Sequence, residues 1–214
     1  MGRSDFATVY ARQRNFSGSR DATTTDQLWC LEHPSVYTLG LAGKSEHLLN
    51  PGSIPVHRTD RGGQVTYHGP GQLVLYPLLD LRRKGVSIRN YVYLLEQAII
   101  KVLDQYGIAA VRRQGAPGVY VKNRKIAALG IRVRNGCCYH GLALNVDMDL
   151  TPFAGINPCG YAGLEVTCLA DLGVDLSIEQ VSQDLVLALV SELGYDAIQT
   201  IHNLIASDCQ VASI

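Results

Sequence analysis

The sequence carries no net charge, with 19 Lys and Arg against 19 Asp and Glu. It therefore lacks the basic excess that holds a protein on nucleic acid, and no nucleic-acid partner is expected. No apolar run approaches the roughly 18 residues of a membrane-spanning helix, so no membrane association is expected either. The six cysteines include no C-x-x-C pair, and the adjacent Cys137 and Cys138 would point to opposite faces of a strand. Such a set predicts no metal, and without a recognisable secretory signal it predicts reduced thiols in the cytoplasm. G-x-G-x-x-G and G-K-[ST] are both missing, which excludes the two commonest phosphate-cradling loops. There is no internal repeat, linker or low-complexity segment. At 214 residues the chain is expected to be one domain over 1–214.

What is present is strand-rich. Residues 28–31 and 35–39 read as strands broken at Pro34, with His33 beside the proline in a structural role, and residues 40–52 read as a loop. A short strand over 56–60 feeds Arg61, Gly62 and Gly63, and paired glycines let a backbone approach a ligand closely. Gly69 and Gly71 flank Pro70 in a turn, followed by a nearly continuous apolar strand over 73–81. Ser87 caps a helix over 88–106 whose apolar positions recur every three or four residues, and Gly107 ends it. Ser177 and Gln180 fit a capping box for a second helix that runs through residue 193. Residues 10–16 offer a short helix without a clear apolar face, and the tail from 196 to 214 is uninformative.

Between these helices, residues 118–121, 125–133 and 139–146 form an antiparallel meander, with a polar turn before Lys125 and a second turn at Asn135 and Gly136. Strict alternation puts Lys125 on the face of Ala127, Leu129, Ile131 and Val133, an unusual place for a lysine. A loop with Pro152, Asn157, Pro158, Cys159 and Gly160 follows and can return over the sheet. Taken singly, Lys125 reads as a solvated strand end and Cys159 as a small buried hydrophobe. Taken together they make a nucleophile with its activator, because a nearby ammonium favours the thiolate. That pairing is compatible with acyl transfer, hydrolysis or redox work.

Five ordered motifs within residues 10–171 resemble the lipoyl(octanoyl) transferases of lipoate biosynthesis. They are LWCLEHPSVYTLG at 28–40, RGGQVTYHGPGQ at 61–72, RKIAALGIRV at 124–133, HGLALNV at 140–146 and INPCGY at 156–161. The resemblance implies an α+β domain with a mixed, largely antiparallel sheet flanked by helices, like the biotin- and lipoate-protein ligases. It implies that Cys159 carries the acyl thioester and that Lys125 lowers its pKa. The acyl pocket would be lined by Arg61, Gly62, Gly63, Gln64, Val65, Thr66, Tyr67 and His68, with the small stretches Ala128, Leu129, Gly130 and Gly141, Leu142, Ala143. The implied donor is octanoyl-acyl carrier protein. The implied acceptors are the lipoyl domains of 2-oxoacid dehydrogenase E2 subunits and the glycine cleavage H protein, served by a monomer without cofactor.

Three competitors stay open on the sequence. An ATP-dependent lipoate ligase shares the glycine-rich and lysine motifs but needs no cysteine. A noncatalytic acyl-binding protein would use only the pocket. A thiol hydrolase could take His68 or His140 as its base. Between residues 105 and 146, Arg112, Arg113, Lys122, Arg124, Lys125, Arg132 and Arg134 occur without an acid, either as a solvated face or as a docking surface for an acidic carrier protein. Cys168 reads as core packing.

Overall fold

A computed structural model describes residues 2–196, 200–205 and 209–214. Asp5 caps the first helix, α1 (Phe6–Ser19), by accepting from the backbone N–H of Thr8. The helix buries Phe6, Val9 and Gln13 at i, i+3 and i+7. It is longer than the segment 10–16 read from sequence, because the cap and Phe6 lie upstream of the polar stretch.

Strands β1 (Gln27–Leu31), β2 (Val36–Leu39), β3 (Val56–Arg58), β4 (Val65–His68) and β5 (Gln72–Leu78) follow. Next come α2 (Ile88–Gln105), β6 (Val111–Arg112), β7 (Val119–Val121), β8 (Arg124–Arg134), β9 (Cys137–Asn145), α3 (Ile178–Glu192), β10 (Thr200–Ile205) and β11 (Cys209–Ser213). Eight strands form one sheet in the order β10-β11-β1-β5-β9-β8-β7-β6, and β3-β2-β4 form a small second sheet. Each pair of neighbouring strands described in the large sheet is antiparallel, whereas β2 and β3 run parallel. This is the α+β architecture expected, with a second sheet added. The tail, unreadable in sequence, supplies β10 and β11, and β11 pairs with β1.

The central strands β5 and β9 are buried along their whole length, so their apolar runs are covered on both faces. On one face α2 and α3 pack Tyr91, Leu95, Ile99, Leu185 and Leu189 against Leu73, Leu142 and Leu144. Ser87 caps α2 through the N–H of Asn90, and α3 carries the full capping box. The opposite face is covered by α1 over Val74, Tyr76 and Ala143. The small sheet packs Tyr37, Leu39, Val65 and Tyr67 on Phe153 and Ile156. That arrangement leaves β4 and the glycine loop before it lying across the large sheet, with a space between.

One register detail redirects Lys125. Val119 pairs with Ala127, but Tyr120 pairs with Lys125, so Ile126 is an extra residue in β8. Ile126 and Ala127 both enter the core beneath α2 and α3. The bulge thus places Lys125 on the face of Tyr120, opposite to Ala127, and corrects the strict alternation expected from sequence.

Candidate active site

Cys159 sits in a tight turn, Pro158–Gly160, with φ of 56° followed by Gly160 at 80°. A non-glycine residue in the left-handed region is uncommon and must be held by its surroundings. Here the loop is tied down on both sides. The Asn157 N–H donates to the carbonyl of His47 at 2.8 Å, and the N–H groups of Leu49 and Asn50 donate to Gly155. Pro158 is buried while Cys159 is half-buried, so the turn presents the thiol rather than enclosing it.

Lys125 is 3% exposed, and its Nζ donates to Cys159 Sγ at 2.8 Å and to the carbonyl of Pro117 at 3.1 Å. The same nitrogen lies 5.3 Å from the centre of the Tyr120 ring, within cation–π range. Burial works against the ammonium, but the charge and hydrogen bond of Cys159 outweigh it, and the lysine pKa ends above its ordinary value. Its backbone is fixed by exchange with the strand-like segment after the cysteine, Lys125 N–H to Glu165 and Thr167 N–H to Lys125. Gly118 completes the holder. Its φ is 135°, and a Cβ there would stand 3.0 Å from Lys125 Cε and 2.7 Å from the Ala127 carbonyl. Its N–H is held at 2.8 Å by the buried carboxylate of Glu96, which also pairs with Arg112.

A cavity of about 350 Å³ extends from Cys159 over the large sheet. Of the residues proposed from sequence, Arg61, Gly62, Gly63, Gln64, Val65, Thr66, His68, Ala128, Leu129, Gly130, Gly141, Leu142 and Ala143 line this cavity. Tyr67 does not. Alternation along β4 turns it to the other side, where it packs on Tyr37 and Phe153 and its hydroxyl lies 2.9 Å from that of Ser35. Lys125 joins Cys159 and Thr66 in an adjoining crevice. The small residues pair across the strands, Ala128 with Ala143 and Gly130 with Gly141, which keeps the floor low. The Arg61 side chain lies against Gly130, and its guanidinium donates to Thr38, Gly62 and Gln64. Burial pushes its pKa down to about 10, with Cys159 and Tyr76 working in the opposite direction.

Sequence reading missed Phe6, Val74, Tyr76 and Val92 as lining residues. Val74 and Tyr76 were accessible from the two-residue period of β5, whereas Phe6 had no local signal. Three of the histidines, His33, His68 and His140, are held by other side chains or backbone. His33 lies 2.6 Å from the Ser4 carbonyl and 2.7 Å from the Tyr76 hydroxyl; His68 lies 2.7 Å from Gln72, and His140 is 3.1 Å from Asp60. Among the described residues, Lys125 is the side chain hydrogen-bonded to Cys159, whereas the ring nitrogens of His68 and His140 contact Gln72 and Asp60. Burial lifts the Cys30 and Cys138 thiols to about 12 and raises Cys168 as well. Cys168 is 2% exposed, in keeping with core packing.

The seven basic residues do not form one face. Lys125 is inside the site, and Arg112 is bound to Glu96 and Gln97. Among the described residues no group of three His, Cys, Asp or Glu is placed to hold a metal, and no helix is long and apolar enough to cross a membrane.

Against known proteins, the lipoyl protein ligase A/B catalytic domain matches residues 5–190. The octanoyltransferase of Alkalilimnicola ehrlichii is 59% identical over 187 residues, covering 87% of each chain. That of Xanthomonas axonopodis pv. citri is 56% identical over 194 residues, 91% of this chain and 84% of the relative. Among solved structures, a bi-partite lipoate protein ligase from Thermoplasma acidophilum superposes with a TM-score of 0.73 at 18% identity, covering 91% of this chain and 82% of that one. At that identity the likeness is one of fold.

Proposed function

The chain belongs to the lipoyl protein ligase A/B catalytic domain family, and we propose that it is an octanoyltransferase of protein lipoylation working through a thioester on Cys159. The observation that carries this reading is the Lys125 Nζ–Cys159 Sγ contact of 2.8 Å at the edge of a largely apolar cavity. The whole chain acts as one catalytic domain, in the cytoplasm and as a monomer, with octanoyl-acyl carrier protein as donor. The acceptor is the lysine of a lipoyl domain, on an E2 subunit or the glycine cleavage H protein.

In the first half-reaction the Cys159 thiolate attacks the thioester carbonyl of the donor. A new C–S bond forms, the donor's C–S bond breaks, and the carrier thiolate takes a proton from the Lys125 ammonium. Lys125 is then neutral. In the second half-reaction the acceptor amine attacks the acyl-enzyme, the C–N bond forms and the Cys159 C–S bond breaks. The surplus amine proton goes to Lys125, and Cys159 leaves as thiolate, which restores the starting pair. Thioester exchange is nearly isoenergetic and amide formation is downhill, so the cycle needs no ATP. The residues 61–66, 68, 128–130 and 141–143 serve the acyl chain from the cavity wall.

The test is an intact mass after mixing the protein with octanoyl-acyl carrier protein in the absence of ATP. An octanoyl adduct on Cys159, cleaved by hydroxylamine and lost in Cys159→Ser, is expected. Lipoyl-domain modification that requires ATP and free acid, with no adduct, would assign the chain to the ligase activity instead.

A further inference from the structure

One wall of the cavity is built partly by the first helix, which contributes Phe6. From Lys125 and Cys159 above β8, the floor passes over Ala128 and Ala143 to Val74 on β5. β8 to β5 is two inter-strand steps, about 10 Å. An extended eight-carbon acyl chain spans about 9 Å at ordinary bond lengths. Phe6 on α1 and Tyr76, two residues along β5 from Val74, line the cavity together with His68.

Away from the cavity the Phe6 ring is packed among other rings. It stacks on His68 with centroids 6.2 Å apart and planes 10° apart, and it meets His33 edge-on at 5.2 Å. Behind it, one helical turn on, lies Tyr10, 6.0 Å away, whose hydroxyl is fixed at 2.8 Å by Asp60. His33 is itself pinned to the Ser4 carbonyl and the Tyr76 hydroxyl. The ring therefore has no space into which to retreat, and Phe6 is only 4% exposed. A longer chain would have to displace a cap-anchored helix turn and a hydrogen-bonded imidazole.

We propose that Phe6 is the residue that limits acyl-chain length, so that the N-terminal helix closes the pocket behind an eight-carbon chain. The inference rests on the acyltransferase reading for its substrate but on the cavity wall for its content. Replacing Phe6 with Ala lengthens the cavity, and Phe6→Trp shortens it.

The experiment measures acylation of the full chain by carrier proteins bearing six-, eight- and twelve-carbon chains, read by intact mass, for wild type, Phe6→Ala, Phe6→Leu and Phe6→Trp. Phe6→Ala is expected to raise the twelve-to-eight carbon rate ratio about tenfold or more, with Phe6→Leu between it and wild type. Phe6→Trp is expected to lower the eight-to-six carbon ratio. Unchanged ratios in variants that are acylated overturn the proposal. Calorimetric binding of octanoic and dodecanoic acids to Cys159→Ser, with and without the Phe6 changes, reads the cavity without chemistry. Absent acylation with a Phe6-dependent length preference would sink the transferase reading and keep the length limit. Equal preference in every variant would remove the length limit, whether or not acylation occurs.

Discussion

Lys125 and Cys159 come from a sheet strand and a tight turn 34 residues apart, and their reactive atoms stand 2.8 Å from one another. The lysine has little freedom there, because its ammonium also donates to Pro117 and its backbone is paired with the segment that follows the cysteine. A positive charge held this close to sulfur is the arrangement by which a lysine can activate a thiol.

Removing the charge should therefore slow the thiol. Lys125→Met is expected to reduce iodoacetamide labelling of Cys159 at neutral pH by about tenfold, which corresponds to roughly 1.4 kcal/mol of lost preference for the thiolate. Lys125→Arg separates the two duties of the lysine. It keeps a positive charge but cannot give up its proton at neutral pH. Labelling should survive in that variant while transfer from the acyl-enzyme to a lipoyl-domain lysine falls. Equal transfer by Lys125→Arg and wild type would remove the proton-carrying role.

Much of this pair was legible in the sequence, and the reasons differ by residue. Cys159 and Lys125 stood out because a thiol in a Pro-Gly turn and a lysine on an apolar strand are each chemically conspicuous. The α2 boundaries followed from local signals, Ser87 at one end and Gly107 at the other. What failed depended on distant contacts. The bulge at Ile126 is visible only in the register with β7, and it inverts the face on which Lys125 lies. Phe6 reaches the cavity because α1 docks on β5 and β9, which nothing in the polar N-terminal stretch announces. Strands β10 and β11 exist through pairing with one another and with β1. Tyr67 is a different case, since simple alternation from Thr66 and His68 already turned it away.

Gly118 offers a way to disturb the lysine without touching it. A methyl group at that position meets Lys125 Cε at 3.0 Å and the Ala127 carbonyl at 2.7 Å, in a backbone conformation that L-residues rarely adopt. Gly118→Ala should therefore push the ammonium off the sulfur. Labelling of Cys159 and acyl-enzyme formation are both expected to fall about tenfold or more, with a loss in stability of a few kcal/mol, roughly 1–3 for the strained backbone. Chemical denaturation separates the two effects. If the folded variant at low temperature labels at the wild-type rate, Lys125 does not depend on Gly118 for its position.

The buried imidazoles set the response of stability to acid. Burial is the largest influence on both His33 and His68, lowering them to about 4 and about 3, and His33 also repels His68. In the unfolded chain each titrates near 6.5. Above that pH both states are neutral at these positions and the histidines add no pH dependence. As the pH falls below about 6.5 the unfolded chain takes up protons that the native protein refuses, so the native state loses ground until the folded values are reached. At pH 5 the cost is roughly 2 kcal/mol for each imidazole, about 4 kcal/mol for the pair. Urea melts at pH 7.5 and pH 5.0 should show at least that difference, since burial lowers His140 as well, and His33→Gln should recover about 2 kcal/mol of it while losing some stability at the higher pH through the bonds to Ser4 and Tyr76. Melts that superpose at the two pH values would mean that these rings protonate inside the fold, and the packing of Phe6 against them would then loosen with acid rather than resist it.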